Sequence, residues 1–233
     1  INFNLPYRAT SMIDFWKRWH ITMTRFFMMY LYSPISLSIM RKSILNDWSK
    51  HKQFLLAIVM PIVITFLASG LWHGAAWTFV IFGAVNAFGL IVNHAWREWK
   101  LPKPHTFFGW LLTMLTVMIS FVYFRADNIA NANIIILAMV NPESFVLPNW
   151  LSYYADYFGI SWYTLSVFSS GTYTVRMVGW IIVLVLFSLM LKNKPLHLNK
   201  IQPTIGLAIS SSVMLWMALG WLDEPSTFIY FQF

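Results

Sequence analysis

The sequence predicts an all-α fold, a polytopic bundle of transmembrane helices with interfacial helices beside them. Three observations carry this. Of the 233 residues, 58% are hydrophobic and only 10% charged, whereas soluble domains carry about 25% charged residues. Several uncharged runs reach the roughly 20 residues that a helix needs to cross a hydrocarbon core about 30 Å thick. The Lys and Arg residues sit in short clusters between those runs, as cytoplasmic loops do. These clusters are Lys50 and Lys52, then Arg97, Lys100 and Lys103, then Lys192, Lys194 and Lys200. Because the net charge of +8 forms no basic stripe on a soluble face, nucleic acid is excluded as a partner. The absence of cysteine excludes disulfides, thiolate catalysis and Cys-ligated metals.

Taken in order, residues 1–233 read as one transmembrane domain. The opening Asn2-Phe3-Asn4-Leu5-Pro6-Tyr7 has neither the basic start nor the apolar core of a signal peptide, so the chain is expected to be part of something longer. Ser11-Met12-Ile13-Asp14 has the form of a capping box and predicts an interfacial helix over about 12–33, which Pro34 is expected to end or kink. On that helix Trp16, His20, Met23, Phe27 and Tyr30 form one stripe, with Asp14, Arg18 and Arg25 nearly opposite. His20 is therefore expected to point inward with the aromatics.

Residues 54–93 contain no charged side chain, which is enough for two spans, over about 54–70 and 76–93, joined by an uncharged turn near Ser69–Gly74. That turn can lie below the membrane surface, packed in protein or facing a cavity. Further spans are expected over about 107–124, 177–191 and 205–222. The Tyr- and Trp-rich stretch from Asn128 to Val175 reads as a non-cytoplasmic loop with interfacial helices.

Of the six histidines, His51, His105 and His197 fall in basic loops and read as solvated, and His94 suits a helix terminus. His73 differs, because an ionisable residue at membrane depth is costly and marks a functional site by default. Gly70 and Gly74 have the spacing of a tight helix-packing point, so His73 could equally serve packing, and on spacing alone both readings stay open. His20 reads either as a core histidine under an aromatic helix or as a group able to take a proton from a hydroxyl. No metal-ligand pattern, G-x-S-x-G elbow or glycine-rich phosphate loop occurs.

Asn4-Leu5-Pro6-Tyr7, Asp14-Phe15-Trp16-Lys17-Arg18-Trp19-His20-Ile21-Thr22 and Gly70-Leu71-Trp72-His73-Gly74-Ala75 resemble the membrane-bound O-acyltransferase family. Within it they are similar to the bacterial branch acting in alginate O-acetylation and in D-alanyl transfer to teichoic acid. Phe121-Val122-Tyr123-Phe124-Arg125-Ala126-Asp127 and the closing Phe228–Phe233 also resemble that branch, at its carboxyl end. The resemblance implies that the chain is the later half of a family member whose amino-terminal half supplies further spans.

It also implies His73 as the catalytic histidine and His20 as the second. Arg18 and Trp19 of the R-W-H segment become candidates for contacting substrate, and Trp72, Asn86 and backbone amides near Gly74 for holding an oxyanion. Lys17 departs from the arginine expected there, and lacks its bidentate fork. The implied activity is O-acyl transfer, with no bound cofactor and with an acyl thioester as donor, acetyl-CoA or an acyl carrier. The other implied partners are membrane lipid and a polysaccharide acceptor, or an extracytoplasmic acetyltransferase that completes the transfer. The implied location is the bacterial plasma (inner) membrane, crossed several times. A transporter or channel subunit is the rival class, opposed by spans without acidic residues and without an evident inverted repeat. An inactive truncated remnant is the third reading.

Overall fold

A computed structural model of the chain describes residues 1–141, 183, 185–186 and 204–219, all helix, turn or extended connection. The predicted span at 177–191 falls almost wholly outside the described residues.

The capping box forms as expected: Ser11 Oγ accepts from Asp14 N at 3.1 Å and starts α1 (Met12–Arg18). The single helix expected over 12–33 does not form. Trp19 is extended and His20 adopts a left-handed conformation at φ 44°, after which α2 (Ile21–Phe27) begins. The helical run then passes through a π-helical turn (Met28–Tyr32) into α3 (Ser33–Leu45). The expected stripe fails with the break, since Trp16 is buried while Tyr30 is 66% exposed.

Helix α4 (Lys50–Phe54), a second π-helical turn (Leu55–Val59) and α5 (Met60–His73) make one continuous helix of 24 residues. Antiparallel to it runs α6 (Trp77–Glu98), then α7 (Thr106–Arg125), of 22 and 20 residues. These three are long and apolar enough to cross a membrane. The rings of Phe54 and Trp99 lie 6.1 Å apart and put the basic ends of the first two at one level. Helix α8 (Ile129–Val140) follows. Helix α9 (Ile205–Leu219), of fifteen residues, belongs to a separate compact unit.

Each π-helical turn stands just before a proline, Pro34 or Pro61. A proline has no N–H and its ring crowds the carbonyl four residues back, so the ladder must widen there. For Pro61 that carbonyl belongs to Ala57, which is fully buried. Ser36 Oγ, from α3, donates to it at 2.6 Å. A neighbouring hydroxyl thus supplies the hydrogen that proline lacks, as apolar surroundings require. Ser36→Ala is expected to destabilise the protein by about 1–3 kcal/mol, the cost of leaving a buried acceptor unsatisfied. A fall in the thermal midpoint of detergent-solubilised protein would show it, and an unchanged midpoint would contradict it.

Helices α5 and α6 meet at two glycines. A methyl group on Gly70 would run into the Phe79 carbonyl, and one on Gly83 into the Phe66 carbonyl. Gly70 is therefore the packing glycine. Gly74 is not its partner in a helix face, because at φ 157° and ψ 160° it terminates α5. Around this contact Phe15, Trp16, Ile62, Phe82 and Val117 join α1, α5, α6 and α7 in one core.

Candidate active site

His73 is the last residue of α5, inside the helix and not in the turn, which is confined to Gly74–Ala76. Its side chain is buried, with 7% of the residue exposed. Four aromatic rings enclose it: Trp72 and Phe124 at 4.9 Å between centroids, Phe82 at 5.9 Å and Phe79 at 6.3 Å. Phe79 and Phe82 come from successive turns of α6 and Phe124 from the end of α7, so three helices place the imidazole. Its Nδ1 is buried and has no hydrogen-bond partner among the described residues. A neutral imidazole offers one N–H and one lone pair, and burying either unmet is costly.

Three other buried polar atoms share this condition: Trp16 Nε1, Thr65 Oγ1 and Asn86 Oδ1. They lie on α1, α5 and α6, where an apolar bundle should have few such groups. A mostly apolar cavity of about 130 Å³ has Trp16, Thr65, Phe66 and Ser69 among its walls. Thr65, Phe66, Ser69 and His73 fall on one face of α5, at helical spacing. Among the described residues His73 itself lines neither this cavity nor the larger one described below.

His20 is half-buried at the break between α1 and α2. Asn2 holds that break: its carbonyl accepts from Ile21 N at 2.8 Å, and its Oδ1 accepts from Thr22 N at 3.0 Å and Thr22 Oγ1 at 2.8 Å. With Oδ1 so engaged, the amide Nδ2 faces His20 Nδ1 at 3.3 Å and donates to it. Nδ1 is then the acceptor, which in the neutral ring leaves the proton on Nε2. His20 is thereby set to donate from Nε2.

The two histidines, 53 positions apart in the sequence, are linked through packed rings, His20 meeting Phe3 at 5.9 Å and Phe3 meeting Trp19 at 4.9 Å. Between them stands an aromatic cluster, in which Trp19 meets Phe121 at 5.4 Å and Phe121 meets Phe82 at 6.2 Å. Asn2→Asp keeps an acceptor for Thr22 but removes the donor to Nδ1. It is expected to move the His20 proton to Nδ1, a change that ¹⁵N shifts of labelled histidine read directly.

The remaining candidates divide. Trp72 touches His73 but is 59% exposed. Trp19 packs in the aromatic cluster, stacked on Phe15 at 5.7 Å. Arg18 is bound to its own helix, its Nε donating to Asp14 Oδ1 at 2.8 Å, and its Nη1 reaches the Asn4 carbonyl at 3.5 Å. Asn86 is buried and donates from Nδ2 to the Phe82 carbonyl at 2.8 Å, one turn farther from His73 than Phe82. Asn2, Phe82 and Phe124 escaped the sequence reading. Phe124 stood within a segment noted for its resemblance, whereas Asn2 carries no local signal.

Three membrane-length helices around a histidine buried among aromatic rings define a helical membrane protein. The chain belongs to the membrane-bound O-acyltransferase family, whose model matches residues 1–136. It is 30% identical over its whole length to 42% of a peptidoglycan O-acetyltransferase of Helicobacter pylori. Over 55% of the chain it is 37% identical to 23% of a probable alginate O-acetylase of Azotobacter vinelandii. Over 53% it is 26% identical to 32% of a teichoic acid D-alanyltransferase of Streptococcus thermophilus. The chain spans less than half the length of these relatives.

Proposed function

We propose that the protein to which this chain belongs is a multi-pass O-acyltransferase of the bacterial plasma membrane. It takes an acyl group, acetyl in the first instance, from a thioester donor and passes it to a hydroxyl for modification of an extracytoplasmic polysaccharide. The observation that carries the reading is the buried, unpartnered His73 nitrogen in a chain of this family. A hydroxyl is a poor nucleophile, and an imidazole within about 3 Å can remove its proton as it attacks the thioester carbonyl. The carbon–oxygen bond forms, the carbon–sulfur bond breaks, and the proton passes by way of His73 to the departing thiolate. His20, with its Nε2 proton, stands across the aromatic cluster, too far from His73 to share its oxyanion, and is suited to positioning substrate there.

Geometry favours a donor and an acceptor on opposite sides. By helix rise His73 lies roughly 30 Å from Lys52 at the basic end of the same helix. With the basic clusters inside, the ester forms toward the outer face, where an extracytoplasmic hydroxyl has the shorter approach. The cavity beside Thr65 and Ser69, on the face of α5 that ends in His73, supports passage of a donor arm from within. The test is transfer of labelled acetyl in membranes containing the full-length protein, followed by release of the label from envelope polymer with mild alkali. Solute flux without any acyl donor, and no alkali-labile label, would overturn the reading in favour of a transporter.

A further inference from the structure

The larger cavity takes no part in the chemistry above. It lies between α1, the second half of α6 and the first half of α7, and has a volume of about 680 Å³. Its walls change character along its length. Phe88, Val92 and Leu112 line one part, and Phe88 and Leu112 are 68% and 62% exposed. Lys17, Arg97 and Lys103 line the other, with Arg97 roughly 13 Å beyond Phe88 by helix rise.

Lys103 reaches the cavity because the loop after α6 folds back, Trp96 Nε1 donating to the Pro102 carbonyl at 2.9 Å. Among the described residues the one acid in the cavity wall is Asp14, and Arg18 already holds it at 2.8 Å. The three cations therefore line one cavity without a carboxylate partner among the described residues.

An apolar groove ending in unpaired cations is complementary to an amphiphile with a hydrocarbon tail next to a phosphodiester. A zwitterionic head group would offset its own phosphate with an ammonium, whereas an anionic one leaves the phosphate charge for the protein. Basic pockets between membrane helices select such head groups. We propose that this cavity binds one anionic phospholipid, its phosphate among Lys17, Arg97 and Lys103 and one acyl chain along Phe88, Val92 and Leu112. The site does not include His73, although Ile13 and Lys17 also line the smaller cavity, and lipid binding there does not require the proposed reaction.

The test uses the full-length protein in phosphatidylcholine bilayers, with spin-labelled phosphatidylglycerol or phosphatidylcholine as probe. The wild type is expected to restrict phosphatidylglycerol about tenfold more strongly than phosphatidylcholine, as a cluster of three cations allows. The triple variant Lys17→Gln/Arg97→Gln/Lys103→Gln should bring the ratio to about twofold or less. Lys17→Arg/Lys103→Arg, which keeps the charge, should retain the wild-type ratio. An equal ratio in wild type and glutamine variant overturns the proposal, as does no preference in the wild type, the sign of another segment filling the groove. Displacement of the lipid by coenzyme A or inorganic phosphate also overturns it, because the site would then serve a soluble phosphate.

Discussion

His73→Ala is expected to abolish acyl transfer by the full-length protein while leaving its amount in the membrane unchanged. Loss of a positioned general base costs about 10²–10⁴ in rate. The full range applies here, because the other residues around His73 offer only ring faces and edges. Stability should not fall in proportion. The imidazole leaves Nδ1 unpaired in the core, so its removal also relieves a buried polar group. Labelled-acyl transfer measured against immunodetected protein separates the two effects. Activity within a factor of about three of wild type would remove His73 from the chemistry, since a catalytic base contributes far more than that.

Gly70→Val is expected to prevent α5 and α6 from packing. The contact is reciprocal: Gly70 lies against the Phe79 carbonyl and Gly83 against that of Phe66. An added side chain thus meets backbone on a rigid helix, with no flexible neighbour to give way. A helix displaced to make room would also part the cluster of Phe79, Phe82 and Phe124 around His73. The expected loss exceeds about 4 kcal/mol, in the range reserved for overpacked cores, and should appear as failure to recover folded protein from membranes. Gly206 in α9 supplies the contrast, because nothing lies within 4 Å of a methyl group there. Gly206→Ala should be neutral or stabilising by about 0.5–1 kcal/mol. Equal recovery of Gly70→Val and wild type would refute the close approach.

The helical class and the three long helices were legible because a bilayer reduces folding to one dimension: charge-free length and its interruptions. The end of α5 was expected at about 70, with His73 in the turn, whereas the helix runs through His73 and ends at Gly74. The break at His20 could not be read. Its left-handed backbone is held by Asn2, 18 positions earlier in the chain, and local periodicity carries no trace of so distant a clamp. The same holds at the site, where His73 and His20 stood out by residue type but their separation depended on how α6 and α7 dock. Asn86 is divided: its amide nitrogen is engaged with its own helix at Phe82, while its Oδ1 stays buried and unmet.

The hydroxyl of Ser36 and the ring of Pro61 depend on each other in one direction only. A chain with any other residue at 61 regains a main-chain hydrogen for the Ala57 oxygen, and serine at 36 becomes dispensable. A chain that loses Ser36 first leaves that oxygen stranded in hydrocarbon. Through lineages carrying both, the two positions can change in one order and not the reverse, and a residue on α3 is tied to a π-helical turn in a helix it never joins.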